Sequence, residues 1–470
     1  MMAVITGKRI EQLIFLLLVA WLLIPVFQYS AFYTNDGSPH LYNSQILKEM
    51  MLGNGAVYEP YFQLNTRPEP NWMGHVLLVG LLLFTDPLVA EKLLIAILIG
   101  LFMFGYRYLV SSMKKQALWT SYLASVFAYS FPLYIGFFNF YLGLAVLFFT
   151  LGFWMRVSDK LNLKTGTMLL FLLLVGFFSH ITTFAMTLAC IGIMEAWKAG
   201  IALINGEVQW KELIRTWGKF LAICVPVLFL TFLFTQAHSG GPIPQNTATF
   251  EAQLEDVFAV RPLTIYNHFE EGQIAQWIFA STITTFYLVF VLGLFSWKKM
   301  EMGWSGVLKL KVGLTQKNHG FLLLTALFMT AYFTLPDWMS SGGYVHIRLL
   351  LVSYILVFLW LSTSKTANWL LVPLLVLGIY STHQLQDNRK GVRTEQNDMV
   401  AEMIEISAEI PEGSVVLPII EHHHWFFGHA SNYLGAFKPL IILDNYEADT
   451  RYFPLEWTMN PSPAQYFGHP

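Results

Sequence analysis

Residues 13–27 read LIFLLLVAWLLIPVF, and residues 35–40, shortly after them, read NDGSPH. The first stretch is an uninterrupted apolar run of the kind that crosses a membrane. The whole chain has the same character, because 55% of its 470 residues are hydrophobic, 16% are aromatic and only 12% are charged. This composition predicts a polytopic membrane protein, and it places an acid, Asp36, just beyond the exit of the first span.

Further apolar runs predict an all-α polytopic fold with about eleven transmembrane helices and a small α/β domain at the C-terminal end. We expect residues 1–381 to form the transmembrane module, with outer loops at 31–92, 236–276 and 335–348, and residues 382–470 to form the extracytoplasmic C-terminal domain. The predicted spans are 13–27, 93–112, 117–134, 140–156, 166–179, 181–197, 220–236, 276–297, 320–336, 346–362 and 367–381.

Several function classes are excluded by composition and motifs. A net charge of −2 provides no basic field for a nucleic-acid backbone. The two cysteines, Cys190 and Cys224, lie in apolar runs, so a disulfide framework is not expected. The sequence contains no GxGxxG, GxxxxGK[ST] or HExxH pattern, which leaves dinucleotide, ATP and zincin sites without support.

The distribution of basic residues predicts a cytoplasmic N-terminus and an extracytoplasmic C-terminal domain. With this orientation the inner connections hold 18 of the 28 Lys and Arg residues, as the positive-inside rule requires. The count depends on laying residues 72–84 on the outer surface as a juxtamembrane helix rather than a span. Twelve of the thirteen histidines then fall on the outer side, which favours a chemical site there.

The tail carries mixed α/β signals. Residues 397–410 have apolar side chains at helical spacing, and strand-like runs follow at 414–418 and 440–443, the second ending at Asp444-Asn445. The densest histidine cluster, residues 421–429, matches no strong metal spacing, and we interpret it as acceptor contact or packing near the membrane rather than a zinc site.

Two acids are candidates for chemistry on the predicted outer surface. Asp36 can act as a general base on a lipid-borne substrate, or it can simply turn the chain and cap the next helix. Glu91 follows Asp86-Pro87 and opens the second span on the same side, where it can hold a divalent metal with Asp36 or merely favour the helix N-terminus. Lys92 beside it can contact substrate or snorkel to the interface.

These features together resemble the GT-C glycosyltransferases, a superfamily that includes the protein O-mannosyltransferases and the aminoarabinose transferases of lipid A. The shared pattern is an acid just past the first span, a surface helix with a Pro/Asn-rich entry, and Glu91-Lys92 at the next span; it covers roughly residues 1–200. The resemblance implies Asp36 as catalytic base and Glu91 as second acid. Lys92 stands where an arginine a few residues beyond the acid is common in these families, and Asn35 precedes Asp36 where some members have a second acid.

The resemblance also implies a polyprenyl-phosphate sugar donor and a glycan, lipid or protein acceptor, with membrane lipids around the protein and no nucleic acid. Arg348 follows the turn 340–343 and is the candidate for the donor phosphate, although it can instead snorkel. A divalent metal is the one cofactor that the pattern allows, with Glu91 and His268 as candidate ligands. The other candidate substrate-binding residues are Lys92, His40, Asn139, His268 and His346.

Two other functions remain open at this point. An O-antigen ligase or polymerase also combines many spans with arginine- and histidine-bearing outer loops, whereas a transporter or assembly scaffold needs no catalytic acid. The early position of Asp36 favours the GT-C interpretation, and few charges fall within the predicted spans, which disfavours a transporter. The expected location is the bacterial inner membrane.

Overall fold

The computed structural model describes residues 2–238, 248–294, 316–338, 342–365, 368–419 and 425–467, and this part of the chain is mostly helical. Five predicted features lie partly outside these ranges. They are the loop 236–276, the end of the 276–297 span, the serines of the 340–343 turn, the first residue of the 367–381 span and residues 421–424 of the histidine cluster.

Seventeen α-helices follow one another in the described ranges, joined by short 3₁₀ helices and four short strands. The α-helices are α1 Met2–Phe27, α2 Gly37–Met51, α3 Met73–Leu82, α4 Pro87–Met113, α5 Phe131–Tyr134, α6 Phe138–Val157, α7 Leu163–Ser179, α8 Ile181–Asn205, α9 Trp210–Ala237, α10 Phe250–Phe258, α11 His268–Leu294, α12 Gly320–Thr334, α13 Val345–Thr363, α14 Val372–Asn388, α15 Lys390–Glu409, α16 Asn432–Phe437 and α17 Ala464–Phe467. The 3₁₀ helices are Gly55–Val57, Leu118–Phe127, Ser158–Lys160, Arg261–Leu263, Lys317–His319, Asn368–Leu371, Trp425–Phe427 and Tyr446–Asp449, and the strands are β1 Phe62–Leu64, β2 Val415–Val416, β3 Ile441–Ile442 and β4 Leu455–Trp457.

Seven helices in the described ranges, α1, α4, α6, α8, α9, α11 and α13, are long and apolar enough to cross a membrane. They correspond to seven of the eleven predicted spans. An integral membrane protein with an all-α polytopic core follows from these helices and from the small amount of sheet. The α13 helix is almost entirely enclosed by the others, whereas α9 exposes most of its apolar side chains, as a lipid-facing helix does.

The other four predicted spans differ from a full-length apolar helix. Three fall on α7, α12 and α14, which have 17, 15 and 17 residues and so reach only about 22–26 Å along the axis. The fourth, 117–134, is the 3₁₀ helix Leu118–Phe127 followed by the four-residue α5. Most of this irregular segment is buried, where other helices can shield its backbone from lipid.

Residues 72–84 contain α3, a ten-residue helix. At about 1.5 Å per residue it is about 15 Å long, too short to cross a bilayer. After it, Asp86 accepts a hydrogen bond from the Val89 backbone N–H at 3.1 Å, and Pro87 occupies the first turn of α4. This N-cap starts the long helix α4 a few residues after the end of α3.

The ends of several long helices meet around Asp36. In this region, which we call the Asp36 end, α1 finishes and α4, α6, α8 and α13 begin. A Cβ added at Gly37 would contact side chains from two of these helices, Glu91 of α4 and Phe138 of α6. The ring of Phe140 in α6 packs edge-on against His180, the residue before α8, with 5.3 Å between centroids.

The tail packs against residues 31–92, the first predicted loop, instead of standing apart from them. Strand β4 of the tail pairs antiparallel with β1 of the loop, and β2 pairs parallel with β3 within the tail. A second apolar cluster joins the two segments, and it includes Tyr42, Phe62, Ile441, Leu455 and Trp457. The predicted helix at 397–410 falls on α15, and the two predicted strands fall on β2 and β3.

Candidate functional site

Asp36 is held by its backbone at the turn between α1 and α2. Its N–H donates to the Ile135 carbonyl at 2.8 Å. The next residue, Gly136, has φ +89°, and a Cβ there would lie 2.6 Å from the Gly37 nitrogen and 2.9 Å from that of Asp36. Only glycine suits both the left-handed backbone and this close approach, so the 135–137 turn fixes the position of Asp36.

The Asp36 carboxylate makes no capping hydrogen bond to α2, although the residue occupies the N-cap position. Instead it is hydrogen-bonded to the side chain of Tyr446 in the tail, and Nε2 of His429 lies 4.0 Å from Oδ1. Burial raises the pKa of Asp36 to about 7, against the opposing effects of His40, the Tyr446 hydrogen bond and Arg348. A carboxyl with this pKa exchanges a proton near neutral pH, as a general base must.

Glu91 lies beside the Asp36 turn. Its Oε2 accepts a hydrogen bond from the Tyr433 hydroxyl at 2.7 Å, while Oε1 is buried and has no hydrogen-bond partner. A Cβ added at residue 37 would come within 2.5 Å of that Oε1 atom, so the absence of a side chain at Gly37 makes room for the carboxylate. The structure thus brings the two predicted acids to the same end of the helix bundle.

Arg348 enters the same region from the first turn of α13. The residue is only 8% exposed, and its guanidinium carbon lies 4.2 Å from the centre of the Phe137 ring and 5.3 Å from that of Phe140. Its Nε has no hydrogen-bond partner, and no Asp or Glu described by the structure forms a salt bridge with it. A buried guanidinium without a directly paired anion is unusual, because burying an unpaired charge is costly.

His180 is in polar contact with Arg348. Its Nδ1 accepts a hydrogen bond from the Thr182 backbone N–H at 3.2 Å, which caps α8. In the neutral ring the proton is then on Nε2, and this atom lies 3.3 Å from Nη1 of Arg348. Burial, and secondarily Arg348, keep the pKa of His180 well below its usual value, so the ring stays neutral. Two N–H donors therefore lie side by side.

His40, His75 and Glu447 form a buried group, and His40 lies one helical turn after Asp36. In the described part of the chain, this is the one place where three or more metal-ligand side chains meet, with their ligand atoms within 4.8 Å of one another. Burial alone would raise the pKa of Glu447, but His40 and His75 lower it to about 2. The group contains His40, a predicted substrate-binding residue, but neither Glu91 nor His268, for which metal binding stays a prediction.

Two more predicted substrate-binding residues at this end are engaged with the protein. Nζ of Lys92 donates to the Tyr29 carbonyl at 3.3 Å. The Asn139 amide accepts from the Gly74 N–H at 2.7 Å and donates to the Asn71 carbonyl at 2.9 Å. In these positions Lys92 lies at the end of α1, and Asn139 holds the chain that leads into α3.

The remaining two predicted residues are His268, at the start of α11, and His346, at the start of α13. Nδ1 of His268 lies 3.4 Å from Oγ1 of Thr264, and Nε2 of His346 lies 2.7 Å from the Leu335 carbonyl oxygen. The backbone N–H of His346 donates a hydrogen bond to Oδ1 of Asp337 at 2.8 Å. Their binding of substrate stays a prediction.

Sequence reasoning did not single out His180, Tyr433, Tyr446 or Glu447. Three of them belong to the tail, and a signal for two was present, because Tyr446 and Glu447 follow the predicted strand that ends at Asp444-Asn445. Polar residues just after a strand are often functional, since the loop there is positioned by a rigid element. His180 was visible only as a break between two apolar runs.

No family model matches the chain, and no curated protein matches it.

Proposed function

We propose that this chain is a GT-C-type glycosyltransferase that transfers a sugar from a polyprenyl-phosphate donor to an acceptor hydroxyl. The reaction takes place at the Asp36 end, which faces the extracytoplasmic side of the membrane, and the bacterial inner membrane is the proposed location. One observation carries the proposal. A largely buried carboxyl whose pKa is near 7, 14% exposed, shares the Asp36 end with a buried guanidinium that forms no salt bridge with a described acid.

Asp36 has the properties of the base in this reaction. It takes the proton from the acceptor hydroxyl while the acceptor oxygen bonds to the anomeric carbon of the sugar. The bond between that carbon and the donor phosphate oxygen breaks, and the electron pair leaves with the polyprenyl phosphate. The proton is thus on Asp36 and the negative charge on the leaving lipid phosphate, so atoms and charges balance.

Arg348 and His180 have the properties of the phosphate site. Arg348 is permanently cationic, and its Nη1 lies 3.3 Å from the His180 Nε2, which carries a proton in the neutral ring. One phosphate oxygen can accept from both donors, and this would replace a donor–donor contact by two hydrogen bonds, one of them charge-assisted. The charge that develops on the leaving phosphate would be stabilised most at this position.

Arg348 also affects the base electrostatically. Its positive charge lowers the pKa of Asp36, in opposition to burial. A donor phosphate bound at Arg348 would neutralise that charge and make Asp36 a stronger proton acceptor. Donor binding would in this way prepare the base for the acceptor. Glu91 has a supporting role here, because its carboxylate packs against Gly37 and its Tyr433 hydrogen bond links the tail to α4.

The experiment uses the full-length chain, reconstituted into liposomes with radiolabelled polyprenyl-phosphate sugars. A panel of donors that differ in the sugar is needed, and release of polyprenyl phosphate reports turnover for any acceptor, including water. We expect turnover with at least one donor, a loss of about 10²–10⁴ in Asp36→Asn, and a comparable loss in Arg348→Ala at equal amounts of folded protein.

Two variants of exposed residues serve as matched controls. Asp387 and Arg215 have the same side-chain chemistry, but more than half of each side chain is exposed, and both pair with neighbours one helical turn away. Asp387→Asn and Arg215→Ala should keep wild-type turnover. Wild-type turnover in Asp36→Asn would reject Asp36 as the base, and no turnover of any lipid-phosphate sugar by the wild type would reject the donor class.

A further inference from the structure

The group formed by His40, His75 and Glu447 connects three distant parts of the chain. His40 lies on α2, His75 on α3 and Glu447 in the 3₁₀ helix of the tail, 372 residues beyond His75. The side chains of the three residues are 6%, 1% and 0% exposed. Burial of this kind commits the three side chains to one another or to something that they hold.

The atoms that face one another are all of the metal-binding kind. Nε2 of His75 lies 3.1 Å from Oε2 of Glu447 and 3.4 Å from Nδ1 of His40, and Nδ1 of His40 also contacts Oε1 of Glu447. Around a tetrahedral zinc ion with bonds of about 2.0–2.1 Å, ligand atoms lie about 3.3 Å apart. The two separations from Nε2 of His75 are close to those of ligands that share one small cation, and a bound ion would move His40 and Glu447 slightly apart.

Residues around the group hold these ligand side chains in their orientations. The His40 ring also hydrogen-bonds the Gly136 backbone, and since Nδ1 faces Glu447 this bond falls to Nε2. The Asn43 amide donates to Oε2 of Glu447 at 2.8 Å, and Phe453 packs near both imidazoles, with centroid distances of 5.7 and 5.5 Å. Hydrogen bonds of this kind typically fix the tautomer and direction of metal-bound histidines and carboxylates.

We infer that His40, His75 and Glu447 bind one zinc ion. The Gly136 bond takes one ring nitrogen of His40 and leaves Nδ1 facing Glu447 and His75. A zinc ion would take the place of the proton between these ligand atoms, because metal binding requires neutral imidazoles and an ionised carboxylate. Two imidazoles and one carboxylate suit zinc and leave its fourth position for water or substrate.

The ion would clamp the tail onto the first outer loop. Glu447 directly follows Tyr446, which hydrogen-bonds Asp36, so the clamp would also set the position of that tyrosine. This inference does not depend on the glycosyltransferase proposal, because metal binding is measurable without any substrate.

The experiment measures zinc bound to the full-length chain in detergent, after purification through a tag that contains no histidine. Inductively coupled plasma mass spectrometry should find about one zinc per wild-type chain, and much less in His75→Gln and Glu447→Gln. The control is His383→Ala, because His383 is an exposed histidine that does not belong to the group. This variant should keep one zinc.

A second measurement needs no variant. Wild-type protein stripped with a chelator should melt at a lower temperature, and added zinc should restore the melting temperature, because a ligand that binds only the folded state stabilises it. A stripped wild type that neither binds zinc nor changes its melting temperature would overturn the inference, as would full zinc content in both ligand variants. An effect of manganese but not zinc would also overturn it.

Discussion

Replacing Asp36 by asparagine should stabilise the protein above neutral pH while it abolishes transfer. Burial raises the pKa of Asp36 from 3.8 to about 7 in the folded state. The folded state therefore binds this proton more tightly than the unfolded state does. Stability contributed by the group is fully present below the unfolded pKa and is lost as the pH rises through the window from about 4 to 7.

The size of this effect follows from the shift. About three pKa units at about 1.4 kcal/mol each correspond to about 4 kcal/mol above pH 7, of which about 1.6 kcal/mol is already lost at pH 5. Asparagine keeps the shape and can still accept the Tyr446 hydrogen bond, but it does not ionise. The stability of Asp36→Asn relative to wild type should thus increase by about 2–3 kcal/mol between pH 5 and pH 8.

The assay is thermal unfolding of the detergent-solubilised full-length chain at pH 5, 6, 7 and 8. A fixed scan rate and a chelator keep the conditions equal for both proteins. For a chain of this length, 2–3 kcal/mol corresponds to roughly 2–3 °C in the melting temperature. Asp387→Asn is the control, because a hydrogen bond from Lys390 lowers the pKa of that exposed acid, so this change should give no such gain at high pH.

A difference in melting temperature that stays constant from pH 5 to pH 8 would refute the buried, raised-pKa description of Asp36. Higher stability combined with wild-type turnover would refute its role as the base but leave the electrostatics intact. The two measurements therefore separate the physical statement about the carboxyl from the functional one.

Three further outcomes are expected. Arg348→Lys should reduce kcat/KM for the lipid-phosphate donor by roughly 10–100-fold at equal expression, because lysine keeps the charge but loses the planar donor array, and a lysine variant with wild-type kinetics would indicate snorkelling instead. Gly37→Ala should destabilise the protein by about 1–3 kcal/mol in thermal unfolding, since its Cβ would overlap Oγ1 of Thr34 and Oε1 of Glu91, and an unchanged melting temperature would show that these side chains move aside at no cost. Tyr433→Phe should cost about 1–3 kcal/mol by the same measurement, because it leaves the buried Glu91 carboxylate without its hydrogen-bond donor, and an unchanged melting temperature would show that the bond contributes nothing.

The sequence by itself determined the parts of this protein that depend on local composition. Long apolar runs must become helices in a membrane, since every backbone polar group has to be satisfied within the segment, and seven of the predicted spans are long apolar helices in the described ranges. The shortness of residues 72–84 also predicted α3 as a helix that does not cross. For the run 117–134 the sequence predicted one span, whereas the structure has a 3₁₀ helix followed by a four-residue α-helix. Apolar composition does not reveal where the backbone breaks.

Only the tertiary structure decided which side chains meet. The distance along the chain from Asp36 to Tyr446, or from His75 to Glu447, holds no signal in a single sequence, because contacts between distant segments depend on how the helices and the tail pack. The same holds for Arg348, whose burial beside His180 follows from the enclosure of α13 and the break before α8. Composition specified a membrane-embedded helical chain with acids near its surface, whereas packing gave Asp36 its raised pKa and left Arg348 without a paired anion.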